Sequence, residues 1–164
     1  MSILENLKSA STVCKLHLFL LPIVLLLHIV GIAIPEWIKF GDTKIGLWKL
    51  CNYGNCGEYG SNASDYIKAC QAFAIIATLS LIGCLVALCL RTFTDLIRKK
   101  LLTQIIIATS ICSAFSCLIT VAVFAGKSND TGRKNLHAGF ALVCISLIGS
   151  IVSAILGYIE GKKD

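Results

Sequence analysis

Charge is what this sequence lacks most. Asp, Glu, Lys and Arg make up only 15% of its 164 residues, against about a quarter in an ordinary soluble domain. Four segments, 16–34, 69–90, 101–125 and 138–159, contain none of them. Proton relays and ion-coupled sites inside a membrane need ionisable side chains, so this scarcity argues against a transporter. Paired carboxylates, a nucleophile beside a base and a glycine-rich phosphate loop are all missing from the sequence. These absences argue against an enzyme. There is no C-x-x-C pair, which a small four-helix membrane oxidoreductase would need. No nucleic-acid motif accompanies the net charge of +6. The basic residues sit in loops and chain ends, where anionic lipid headgroups suit them better. His17 and His28 lie three helical turns apart and His137 stands alone, so no ligand cluster for a metal forms. We expect no cofactor and no catalysis.

What is present is apolar surface. Hydrophobic residues reach 56% and the mean hydropathy is +0.81. A soluble fold of this size has no room to hide so much, so the bilayer is the expected solvent. Each uncharged segment matches the roughly 20 residues that a helix needs to cross the hydrocarbon. Helices are required because no water reaches the backbone there. The fold class is therefore an all-α membrane protein with four crossing helices, forming a single domain over 1–164. The loops are 35–68, 91–100 and 126–137. The first apolar run exceeds the roughly 7–15 residues of a signal peptide and no clear A-x-A site follows it. A retained helix is expected, and an even number of crossings puts both chain ends on one side.

Charge alone orients the chain weakly. Eight Lys and Arg lie in the head, the tight loop and the tail, and seven in the other two loops. Four of the ten residues in 91–100 are basic, which favours that side as cytoplasmic. Asn62-Ala63-Ser64 in the long loop is a glycosylation sequon, and Cys51 and Cys56 share that hydrophilic loop. Both signals place it outside the cytosol. The expected location is the plasma membrane, with both termini cytoplasmic.

The long loop is the most informative stretch. Four residues separate Cys51 from Cys56. A two-residue turn at Tyr53-Gly54 sets Asn52 opposite Asn55 and Cys51 opposite Cys56, with Gly accepting the positive φ such turns require. Close cross-strand pairs suit a disulfide. Trp37 follows the first helix, where an interface tryptophan is at home. Trp48 lies beside the hairpin, where an aromatic wedges the sheet against the membrane surface.

Trp37, then Gly46-Leu47-Trp48, Cys51 and Cys56 resemble the signature of the claudin superfamily. The short cysteine gap, Gln71-Ala72-Phe73 at the second helix and the short tail resemble the peripheral myelin, epithelial membrane and lens fibre membrane protein branch. The resemblance implies a left-handed four-helix bundle capped by a small extracellular β-sheet. It also implies roles in cell contact, membrane organisation or junction formation, with lateral self-association and a trans partner on an adjacent cell. The alternative is an auxiliary subunit of an ion channel or receptor. The chain departs from claudins at Asp164, where they typically carry a hydrophobic residue that docks to scaffolds.

Other features have simpler readings. Cys70, Cys84, Cys112, Cys117 and Cys144 fall inside helices and act as small hydrophobes. Cys14 and Cys89, at helix ends, are candidates for S-palmitoylation. His28 and Gln104 are expected inside the bundle as hydrogen-bonded polar glue. Gly149, Ser153 and Gly157, with Ser146, Ser150 and Ala154, allow close helix approach, either within the bundle or at a self-association face. A second sequon at Asn129 lies too near a helix to be used. Four acidic and four basic residues in the long loop give no single-signed ring that would select ions.

Overall fold

The structure, a computed structural model, describes residues 10–60, 63–94, 98–128 and 135–162. Four helices long and apolar enough to span a membrane run through it: α1 Thr12–Ala33, α2 Asp65–Phe93, α3 Lys99–Lys127 and α4 Ala138–Gly161. Between α1 and α2 lie four short strands, β1 Ile38–Phe40, β2 Thr43–Ile45, β3 Lys49–Asn52 and β4 Asn55–Glu58. The strands form one antiparallel meander in sequence order. Ser11 caps α1 by accepting from the Cys14 amide at 3.1 Å, which satisfies one of the orphan donors of the first turn. At 29 residues each, α2 and α3 outrun the roughly 20 needed for the hydrocarbon. Their ends, and the charges on them, therefore stand clear of it.

Each helix packs on its sequence neighbours, and α4 closes the bundle against α1. The buried positions recur at alternating spacings of three and four. On α1 they are Cys14, His17, Leu21, Val24, His28 and Gly31. On α4 they are Gly139, Val143, Ser146, Ser150, Ser153, Gly157 and Glu160, with Leu156 buried beside Gly157. That 3.5-residue period is what a left-handed bundle needs to keep one seam facing inward. Much of the seam is small or polar, whereas the outer faces are large and apolar: Phe19, Leu79 and Phe115 are each more than 60% exposed. Lipid tails are as apolar as leucine, so association rests on close packing and hydrogen bonds rather than on hiding leucine.

The seam's polar groups find one another. Ser113 and Ser150 meet at 3.0 Å and Ser110 and Ser153 at 2.9 Å. His17 Nε2 lies 2.8 Å from Ser153 Oγ. His28 Nε2 lies 3.2 Å from the Ala74 carbonyl oxygen, with its Nδ1 3.7 Å from Cys117 Sγ. The small-residue stripe of α4 is consumed inside the bundle. A Cβ on Gly149 would come within 2.4 Å of Val24. Gln104 differs from expectation: it is exposed on the outer face of α3, because the inward phase passes through Thr103 and Ile106.

The structure also corrects the assignment of two charges to loop and tail. Arg91 lies in α2 and Glu160 in α4. The Arg91 guanidinium donates to Glu160 Oε2 at 2.9 Å, and Glu160 is 1% exposed. His17 Nδ1 stands 4.0 Å from the same oxygen. Nearly complete burial demands such pairing, since an isolated charge there is prohibitive. Removing one partner strands the other, at a typical cost of about 3 kcal/mol. Glu160→Gln is therefore expected to lower resistance to unfolding in detergent by that amount, and Arg91→Met with Glu160→Met to recover most of it. A single variant as stable as wild type would show that the pair contributes nothing.

Candidate functional site

The sheet sits on the end of the bundle where α1 stops. Pro35 follows Ile34, which caps α1 in an extended conformation as the residue before a proline prefers. The chain then turns Trp37 inward. Trp37 is fully buried, and its indole N–H donates to the Gly31 carbonyl at 2.9 Å. That carbonyl belongs to the last turn of α1, where no helical partner remains. The ring packs edge-on against Phe124, at 4.7 Å between centroids, and against Phe140 at 6.0 Å. Room for it exists because residue 139 is glycine. A Cβ there would come within 2.6 Å of the indole. The interface position expected for Trp37 is not what the structure shows: the ring is fully buried inside the bundle.

The Trp37 backbone ties three parts together. Its amide donates to the Ile45 carbonyl in β2, and its carbonyl accepts from His137 at the mouth of α4, both at 2.9 Å. Lys39 donates to the Asn135 carbonyl, and Ile38 bridges Leu136 antiparallel. The second loop is thus joined to the β1 edge. Glu36 adds a polar clasp: Lys44 Nζ donates to its carboxylate at 2.6 Å, and His137 Nδ1 lies 3.4 Å away. The hydrogen bond from Lys44, with the neighbouring positive charges, holds the Glu36 carboxyl below its usual range.

Gly46, Leu47 and Trp48 lock the sheet onto the helices. Gly46 lies so close to Pro35 that a Cβ would fall 2.5 Å from its Cα. The Gly46 carbonyl accepts from the Tyr59 hydroxyl at 3.1 Å, and burial pushes the Tyr59 phenol up to about 12. Leu47 is fully buried, and its carbonyl accepts from Gln71 Nε2 of α2 at 2.8 Å. Trp48 is half-buried against the same apolar cluster.

The hairpin has the expected register, with Cys51 opposite Cys56 and Asn52 opposite Asn55. The two cysteines are disulfide-bonded, with Cα atoms 4.0 Å apart. Tyr53 has φ of 48° and Gly54 of 83°, so both turn residues take the left-handed region, as this hairpin turn requires. Such a ring contributes about 2 kcal/mol by chain entropy. Tyr53 at the tip is 78% exposed. Every residue of β4 is exposed, and no strand pairs with its outer edge among the described residues.

Other sequence candidates fall elsewhere. Asn62 and Asn129 lie outside the described residues. Cys14 is 5% exposed, with its Sγ 3.3 Å from Thr92 Oγ1, whereas Cys89 is half-buried. Gly31, Gly139, Phe124 and Phe140 were not singled out from sequence. Their roles come from contacts across α1, α3 and α4 rather than from any local pattern.

Four membrane-crossing helices with a disulfide-stapled sheet formed by the first loop define a multi-pass membrane protein whose helices contact lipid. The chain belongs to the PMP-22/EMP/MP20/Claudin family, whose model matches residues 12–161. It is 43% identical over 129 residues to epithelial membrane protein 1 of Rattus norvegicus, covering 74% of this chain and 79% of that protein. It is 28% identical over 131 residues to the Mus musculus protein of the same name, covering 76% and 80%. Membership supports a structural or junction-related role in the membrane, in a family that is not enzymatic.

The tight fit at Gly46 makes a direct prediction. Gly46→Ala is expected to destabilise the cap by about 1–3 kcal/mol, as overpacking against backbone does. Gly57→Ala, where a Cβ meets nothing within 4 Å, is expected to change stability by under about 0.5 kcal/mol. Limited proteolysis of the 35–68 loop reads the difference. Equal sensitivity in the two variants would refute the account of Gly46.

Proposed function

We propose that this protein is a cell-contact and membrane-organising component of the plasma membrane, acting through its first loop, with that loop outside and both termini cytoplasmic. One observation carries the reading: the loop is a braced platform rather than a flexible segment. Trp37 and Leu47 fix its base, a disulfide fixes its tip, and the exposed β4 edge and Tyr53 are left to meet a partner. An unpaired edge offers backbone groups for strand addition, and a rigid platform loses little entropy on binding. The orientation rests on the Asn62 sequon and on a disulfide that reducing cytosol would oppose. Lateral association of copies, with contact across the intercellular gap, completes the reading.

A fluorescently tagged copy expressed in cells without junctions tests it. The signal is expected to concentrate where two expressing cells touch, and a tag at either terminus to stain only after permeabilisation. Tyr53→Ala is expected to abolish the enrichment, since truncating a central contact aromatic costs about 2 kcal/mol or more. Uniform surface signal with the Asn62 glycan present would overturn trans contact and favour a lateral channel or receptor partner. Terminal tags staining intact cells would overturn the orientation.

We also propose S-palmitoylation at Cys89 rather than Cys14, because the Cys14 thiol is buried against Thr92. Acyl exchange is expected to label wild type and Cys14→Ser but not Cys89→Ser. No label on wild type would end the proposal.

A further inference from the structure

A cleft of about 710 Å³ opens where the sheet overhangs the junction of α1 and α2, the least closely packed pair of neighbouring helices in the bundle. Its floor is apolar: Ile29, Ile32 and Ala33 of α1, with Ile29 42% exposed toward the lipid. Trp48 and Tyr59 form aromatic walls. Its rim carries one charge of each sign, Lys49 and Glu58.

Strand alternation puts those two charges on one face of the sheet. Side chains two apart share a face of a strand. Lys49 therefore shares a face with Cys51, which is 4% exposed, and its cross-strand partner Glu58 shares a face with Cys56. Ile38 and Ile45, which join the buried cluster, alternate onto the opposite face, and Lys49 and Glu58 reach the cleft at its rim. The two charges are only loosely joined, at 3.8 Å, with side chains 48% and 76% exposed.

We propose that this cleft binds a choline-type zwitterionic phospholipid. Its phosphate meets Lys49 and its quaternary ammonium meets Glu58 between the Trp48 and Tyr59 rings. One acyl chain lies along Ile29 and Ile32 into the α1–α2 junction. Both signs are matched by one molecule, whereas a singly charged headgroup leaves either Lys49 or Glu58 opposed. Aromatic faces attract quaternary ammonium. A cleft of this volume lies within the range of small-molecule sites. The apolar floor continues into the lipid-facing surface, so the ligand enters sideways from the bilayer. The inference holds whichever side of the membrane the sheet faces, and so stands apart from the proposed cell-contact role.

Tryptophan quenching in nanodiscs tests it. The protein is placed in a phosphatidylglycerol bilayer doped with trace phosphatidylcholine or phosphatidylglycerol carrying bromine near the glycerol end of one chain. Trp37 is fully buried and supplies a constant background, so quenching reports on Trp48. Brominated phosphatidylcholine is expected to quench about threefold more than brominated phosphatidylglycerol at equal mole fraction, as two partly exposed charge contacts allow. Lys49→Gln with Glu58→Gln is expected to remove the preference while retaining quenching, and Trp48→Phe to remove the quenching. Equal quenching by both lipids in wild type would overturn the proposal without recourse to any variant. A preference that survives the double substitution would also overturn it. Absent quenching with cross-links between copies at the cleft would assign it to a second chain instead.

Discussion

Two media meet at the end of α1, and the chain has to leave a helix there without exposing its last carbonyls to lipid. Trp37 meets that constraint by turning back into the bundle. Its indole takes the Gly31 carbonyl, and its ring fills the space between Phe124 and Phe140. Its own backbone is then held by β2 on one side and by the start of α4 on the other. The sheet, the second loop and three of the helices thus share one buried residue. A headgroup tryptophan would have left the loop tethered by covalent chain alone. The Glu36 clasp, the Gly46 close approach and the Gln71 bond to Leu47 are all built on the position that Trp37 sets.

Below the cap the bundle is organised by a different scarcity. Lipid gives no reward for collecting large apolar side chains at the centre. Two apolar clusters do form, one under the sheet around Trp37 and Phe124 and one toward the chain termini around Leu21, Leu81 and Ile106. Between them the seam narrows to serine and histidine. Ser113 with Ser150, and Ser110 with Ser153, fix the register of α3 against α4, while His17 and His28 tie α1 to α4 and α2. Apolar seams slide more readily than hydrogen-bonded ones, so these few bonds specify which helix faces meet.

Much of this was legible in the sequence because the signals were local. Four runs without charge announced four helices. The six residues from Cys51 to Cys56, with glycine in the middle, announced a hairpin in its observed register. The site's anchors were harder to read. Trp37 looked equally like an interface tryptophan, and nothing near Gly139 marked it as the gap that admits the indole. Arg91 and Glu160 were assigned to loop and tail because each ends an uncharged run, yet each completes a helix on its inward face. Their partnership joins residues 69 apart, beyond any pattern along the chain. Gln104 was expected inside because it is polar. The three-and-four spacing of Thr103, Ile106 and Ser110 puts it one step out of phase.

The Arg91–Glu160 pair also has a consequence for biogenesis. Synthesis runs from the amino end, so α2 reaches the membrane carrying Arg91 well before the ribosome has made Glu160. Until α4 arrives, that guanidinium lacks the Glu160 carboxylate it meets in the finished bundle. Seating the last helix is what brings Glu160 to Arg91. The same ion pair that closes the finished bundle therefore distinguishes a completed chain from one stalled at three helices, because only the completed chain can form it.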